Sequence, residues 1–375
     1  MSMDNAAHSA PCSLTQKQLH IFSMPSARGN TLLDYDLLPR FIHDRAQKKV
    51  KLDTSTPHKP RVITLAPTER YEIVPAILNL PDDEGTTDAE GKPVLHPYAV
   101  YPGTRESLIE DCLIYFARHG EFSVEKGCPG YRYDAGVLGV CFTLYQLRMA
   151  LKDQGKEYRL DELREGLEVL AMAKYRYTND ADRDRLCGYI VAELDSIPNP
   201  CPNDKIRCDR IMYVQFDIRA SKRILAGHYR SYDDKVALSM KSPIARYLYK
   251  QFSHHWQNAN VHGEGGSARS IDQNETILAS GCPLSSNPTK RRDSVLKALF
   301  ELHSCGIIQN VDERADVVPI KDGRKVVDIS FMVRPTSRFV TQQIEGFRRL
   351  QESRRVGEQL QAQRKSPQIE SRTSL

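Results

Sequence analysis

The chain has 375 residues, 53 Lys and Arg against 48 Asp and Glu, a formal net charge of +5, and 40% hydrophobic residues. That length allows two or three domains with their own cores, while the longest apolar stretches, such as Gly136 to Phe142, fall well short of the ~20 residues a membrane span needs. Nine scattered cysteines without a CxxC fit reduced thiols in a cytoplasmic protein rather than a disulfide scaffold or a zinc knuckle, and the first twenty residues lack the basic-then-apolar order of a secretory leader.

The positive charge is uneven. From Pro335 to Leu375 seven Arg and one Lys face only four Glu. A basic end points to a polyanionic partner, against the plainer alternative of a solvated, salt-bridged helix and tail.

Residues 1–100 are rich in Pro, Asp, Thr and Lys and predict an N-terminal arm or a small mixed subdomain with weak strands near 61–67 and 71–78. A first folded unit is predicted over 101–240. Residues 104–120 form a helix with Thr104 and Glu106 as a capping signal and Leu108, Ile109, Cys112, Leu113, Tyr115 and Phe116 on one face. A second helix over 142–156 has Thr143 as its N-cap and Leu144, Leu147 and Leu151 inward. A third over 158–173 buries Leu160, Leu163, Leu167 and Leu170. Two alternating stretches, 174–178 and 186–194, then predict a hairpin. The segment 205–240 predicts a strand, a short basic helix and another strand that space this unit from the next.

A second unit over 241–335 repeats the order. A helix over 242–256 presents Ile244, Tyr247, Leu248 and Phe252. A short helix over 270–281 is capped by Ser270 or Asp272 and stopped by Gly281. A third helix over 287–306 has Asn287 at its cap and Pro288 in its first turn, buries Val295, Leu296, Leu299, Phe300 and Leu302, and stops at Gly306. Two strands follow, joined by a turn at Lys321-Asp322-Gly323-Arg324. The closing segment, 336–375, predicts a basic helix packed by Phe339, Ile344, Phe347 and Leu350, then a tail. Two copies with one element order are less expected by chance than one. The expected fold is therefore α+β: tandem winged helix-turn-helix domains with an N-terminal extension and a C-terminal helix.

Specific stretches carry a family likeness. Lys241-Ser242, with Arg246-Tyr247-Leu248-Tyr249, and Gly323-Arg324-Lys325-Val326-Val327-Asp328-Ile329-Ser330-Phe331 resemble the opening helix and closing strand of the C-terminal winged helix in the Rep initiator family of bacterial plasmids. Residues 142–170 are similar to the N-terminal winged domain of replication proteins carried by plasmids and integrative genomic islands. The likeness spans roughly 104–350. It departs from the pattern in a long Gly-rich link at 257–269 and in a longer wing region of the first unit. The resemblance implies an initiator that binds directly repeated origin sites in double-stranded DNA, bends or opens adjacent AT-rich DNA, and recruits host initiator and helicase components. Members of this family often repress their own promoter as homodimers and initiate as monomers.

A helix that reads the major groove does so with donors near its start. In the second unit these are Asn287, Thr289, Lys290, Arg291 and Arg292, with Lys297 a turn further on. Arg291 and Arg292 suit guanine; Lys290 and Thr289 suit phosphates, aided by free amides at the helix N-terminus. Lys321, Arg324 and Lys325 would place a wing along the backbone. In the first unit Arg159 and Arg164 are weaker candidates, because Asp161, Glu162 and Glu165 crowd the same helix. For any single Arg an exposed helix face is the commoner fate.

Catalytic readings find little support. His254, His255 and His262 lack the spacing of a rolling-circle nickase, and His255 or Trp256 suits a core position better. No GxxxxGK[ST] phosphate loop occurs, and the Gly-rich 262–267 segment lacks its lysine. No enzyme activity, cofactor, metal or membrane contact is expected. A transcriptional regulator or partition-type DNA-binding protein, and a winged-helix protein-interaction adaptor, fit the same patterns, since fold alone does not set function.

Overall fold

The computed structural model describes residues 28–32, 38–44, 49–52, 59–66, 69–81, 85–118, 129–134, 137–178, 185–197, 211–217, 221, 229–256, 268–312, 316–346, 348 and 351. The fold is mixed α+β with wholly antiparallel sheets. Among the described residues the two larger hydrophobic clusters organise it.

Ahead of the first helix come β1 (Arg28–Leu32), β2 (Lys49–Lys51), β3 (Arg61–Ala66), β4 (Glu69–Val74), β5 (Ala76–Pro81) and β6 (Leu95–Val100). Helix α1 (Thr104–Arg118) follows, its entry fixed by Glu106, whose carboxylate accepts from the Gly103 amide at 2.8 Å. Leu108, Ile109, Cys112, Leu113 and Phe116 are buried along one face of α1, at the spacing of an amphipathic helix. A hairpin, β7 (Gly130–Asp134) and β8 (Val137–Phe142), leads into α2 (Leu144–Lys152). The apolar run at 137–142 had marked no element in the sequence. Its strand is buried on both sides, so it lacks the alternation that a half-exposed strand shows.

Thr143 caps α2 with a full capping box: its hydroxyl accepts from the Gln146 amide while Gln146 Oε1 accepts from the Thr143 amide. Helix α3 (Leu160–Met172) buries Leu163, Leu167 and Leu170. Leu160, expected inside, is 36% exposed because it is the first helical residue, where the chain has not yet turned onto the core. Strands β9 (Lys174–Thr178) and β10 (Arg185–Gly188) form the expected hairpin. The predicted second strand in fact divides at Tyr189. Residues beyond it, in β11 (Ile190–Ile197), pair instead with β12 (Ile211–Phe216), which pairs with β8. Strands before residue 100 join the same body, because β4 pairs with β9 to give a sheet in the order β10-β9-β4-β3.

Strand β13 (Tyr229–Asp233) pairs with β1 and runs into α4 (Asp234–Ser239), a short helix where a strand was expected. Its cause is local: the Asp233 carboxylate accepts from the amides of Lys235 and Val236. Leu238 of α4 belongs to the first core, and Ala237 and Met240 to the second.

Helix α5 (Pro243–His255) starts at Ser242, whose hydroxyl accepts from the Ala245 amide. Trp256 closes this helix inside the second core, stacked on Phe252 with centroids 4.5 Å apart and edge-on to Phe339 at 5.9 Å. Residues Arg269–Asp272 make strand β14 rather than the start of a helix, because they pair with the strand that ends this unit. Helix α6 (Gln273–Ala279) and helix α7 (Pro288–Ser304) follow, then β15 (Val317–Asp322) and β16 (Lys325–Val333) in a sheet ordered β14-β16-β15. A helix over 337–346, α8, packs Phe339 and Val340 against this core. Phe347, Leu350 and the residues 352–375 lie outside the described residues, as do Cys201 and Cys208 and the 257–267 link with His262.

The two halves are bonded to each other. The buried Asp111 on α1 accepts from Lys250 Nζ on α5 at 2.6 Å, with Arg246 Nη1 4.0 Å from its other oxygen. Residues 38–44 lie across the same junction. Arg40 makes a buried bidentate pair with Glu110 at 2.9 and 2.8 Å, and the Tyr189 hydroxyl donates to the Arg40 carbonyl. The Ile42 amide donates to the Pro102 carbonyl, and the His43 amide to the Gly281 carbonyl, at 2.8 Å each. Gly281 ends α6 with φ 75°, and a Cβ there would meet the Phe41 carbonyl oxygen at 1.8 Å, so only glycine fits.

Candidate nucleic-acid interface

Helices α6 and α7 are joined by residues 280–287 and followed by the β15–β16 hairpin. Helix α7 begins where the sequence places it. The Asn287 side-chain oxygen accepts from the Thr289 and Lys290 amides at 2.9 and 3.4 Å, Pro288 occupies the first turn, and Gly306 follows the end with φ 71°. Asn287 Oδ1 is therefore committed to capping. Thr289 and Lys290 are exposed, and Arg292 is half-buried.

Arg291 is turned inward. Its Nη1 donates to Asn274 Oδ1 on α6 at 2.8 Å. Asn274 in turn donates its backbone amide to the Asp328 carboxylate of β16 at 3.2 and 3.3 Å. Burial pushes the Asp328 carboxyl above its usual range, while the Ile329 and Asn274 amides and the Arg291 charge oppose that shift. One asparagine thus links the start of α7 to the strand of the hairpin. The sequence held no sign of this link, since Asn274 and Arg291 are 17 positions apart and on different helices.

The hairpin presents Lys321, Arg324 and Lys325, all exposed, at its turn. The turn is tight: Asp322 pairs with Lys325, and Gly323 takes φ 60°, which a side chain would disfavour. Val318, Val326 and Val327 are also exposed there, at 52%, 49% and 41%. Lys297 is exposed about two and a half turns beyond the start of α7, and Phe300, expected in the core, is 69% exposed. Val295, Ala298, Leu299 and Leu302 already fill the inner face of α7, which leaves Phe300 on the outer one.

The first unit's third helix differs. Arg159 lies 3.0 Å from Asp161 and 3.9 Å from Glu162, and Arg164 lies 3.5 Å from Glu168. Both arginines are exposed but face carboxylates of their own helix. Of the histidines, His254 is buried on α5, and desolvation with the Arg269 charge holds His255 down to about 4. Among the described residues no three His, Cys, Asp or Glu side chains converge as a metal ion would need, and no helix is long and apolar enough to cross a membrane.

The fold and this surface define a mixed α+β chain in which the start of α7 is basic and exposed. No family model matches the sequence, and no curated protein matches it. Among solved structures the chain is similar to domains 2 and 3 of RctB in two crystal structures. One has a TM-score of 0.37 and 11% identity over 77% of this chain and 95% of that one; the other, 0.39 and 7% over 82% and 99%. It is also similar to the Pi initiator protein crystallised with iteron DNA, at a TM-score of 0.37 and 14% identity over 62% of this chain and 94% of that one. At these TM-scores the likenesses transfer no residue's role to this chain.

Proposed function

We propose that the chain is a sequence-specific double-stranded-DNA-binding replication initiator of a plasmid or mobile genetic island, which binds origin repeats and promotes origin opening. In this reading both units are winged helices, α7 enters the major groove, and the β15–β16 hairpin lies along the phosphate backbone. The protein works by binding and deforming DNA rather than by covalent chemistry, with host initiator and helicase as partners and a homodimer as its repressing form. One observation carries the reading: an exposed lysine-bearing helix start and an exposed Lys-Arg-Lys hairpin turn, linked through Arg291, Asn274 and Asp328. The sequence likeness of Lys241–Tyr249 and Gly323–Phe331 to Rep initiators narrows DNA binding to initiation.

Fluorescence anisotropy of the full chain on duplex DNA taken from beside its gene tests the first step. Log affinity should fall with log salt by about 0.9 for each phosphate contacted; an affinity indifferent to salt would overturn DNA binding. Transformation with the gene and its flanking DNA, on a replicon lacking any other origin, tests the second. Duplex binding without transformants would leave a transcriptional regulator and remove the initiator.

A further inference from the structure

We infer that Phe300 is a base-reading residue that recognises the C5-methyl group of thymine in the major groove, an inference that rests on the DNA-binding reading of α7. Phe300 breaks the rule by which the rest of α7 is built. The helix buries Val295, Ala298, Leu299 and Leu302, yet holds a phenyl ring 69% exposed. That ring lies on the face that carries the exposed lysines. At 3.6 residues per turn Lys290, Lys297 and Phe300 fall within roughly 80° of arc, and Lys290 and Phe300 are about 15 Å apart along the axis. That distance equals about four to five stacked base pairs. A helix seated by Lys290 and Lys297 would bring Phe300 to base edges at the far end of its footprint.

The surroundings of the ring are partly apolar. Phe300 borders a groove of about 320 Å³ shared with Leu296, Lys297, His303, Asn310 and Val311. Thymine offers the only methyl among the major-groove base edges, and apolar side chains recognise it. The cationic flank argues for DNA over a second protein as the occupant: Lys297 is exposed one turn before the ring. Asp293 shares this exposed face. A carboxylate there accepts from a cytosine amino group and repels phosphate, so it favours a groove-facing role for the stripe.

The test uses the full chain and the tightest-bound duplex recovered from a random-sequence library. Each thymine is replaced in turn by deoxyuridine, which removes only the methyl. Wild type should bind about fourfold more weakly when the contacted methyl is lost. Phe300→Ala should bind the thymine duplex more weakly and be indifferent to that replacement. Phe300→Leu should keep a smaller preference, and thermal unfolding should be unchanged in both variants because the ring is exposed. Wild type binding every deoxyuridine duplex equally well, or Phe300→Ala keeping the full methyl preference, overturns the inference while salt-dependent binding leaves the DNA reading intact. Phe300→Ala altering self-association but not DNA affinity makes the ring part of a protein interface, and the inference falls. Recovery of no duplex at any salt overturns the DNA-binding reading as well.

Discussion

The two halves share an order of helices and hairpin but use their surfaces differently. In both, a strand leads directly into the second helix: β8 into α2, and β14 into α6. The spacing from there is nearly identical, since α2 and α3 start at 144 and 160, and α6 and α7 at 273 and 288. The hairpins then diverge. That of the first unit is extended by β4 and β3 on its β9 side, so that β10 forms the edge of a four-stranded sheet. That of the second ends its sheet at β15, with exposed valines and a basic turn. The third helices diverge likewise, one with its arginines facing its own carboxylates and one with lysines exposed. Duplicated topology therefore leaves open which copy meets a ligand; partner strands and local charge decide it.

The comparison can be broken at its shared anchor. Asp111→Ala removes the buried carboxylate that faces Lys250 and Arg246 across the halves. A loss of about 3–5 kcal/mol is expected, because two cations are left buried without it; a denaturant midpoint close to wild type would show that the halves hold without the pair. Next in size is the effect on DNA. Lys290→Ala with Lys297→Ala should lower the salt slope of binding by about two, while Arg159→Ala with Arg164→Ala should leave it unchanged. Equal losses from both pairs would erase the asymmetry between the units. Capping should be the property in which the units match. Asn287→Ala and Thr143→Ala should each cost about 1 kcal/mol in chemical denaturation, and a cap that costs nothing would mark a helix fixed by packing alone.

The smallest effect expected is on pH. His43 is held down to about 3 by desolvation, with the Arg246 charge adding to it, whereas an unfolded histidine titrates near 6.5. Between these values the unfolded chain holds the extra proton. Stability is therefore full above about pH 6.5 and is lost as the pH falls toward 3. The ring is only half-buried, so solvent screening reduces the effect. His43→Gln should flatten the dependence of the urea midpoint between pH 7 and 5; an unchanged slope would assign the effect elsewhere.

Much of this was legible in the sequence because it is local. Asn287-Pro288 and Gly306 announce α7, Thr143 announces α2, and apolar spacing marks the inner faces. The unread features are long-range. Strand β8 shows no alternation because both its faces are covered, and the capture of the first hairpin depends on residues a hundred positions upstream. Arg291 looks like a base reader in the sequence, yet its guanidinium is bonded to Asn274. Phe300 looks like core, because helical spacing alone cannot tell the edge of an apolar face from the start of an exposed one.

The crossing of residues 38–44 over Gly281 also bears on time. The His43 amide finds its acceptor on a residue roughly 240 positions later in the chain. At ~5–20 residues per second of synthesis, that segment exists for tens of seconds before its seat does. During that interval Arg40 can already bond Glu110 and Tyr189, and Ile42 can bond Pro102, but the bond from His43 to Gly281 must wait for α6. The strap is thus anchored in the first half at Arg40 and Ile42, and only its His43 end waits for the second half to emerge.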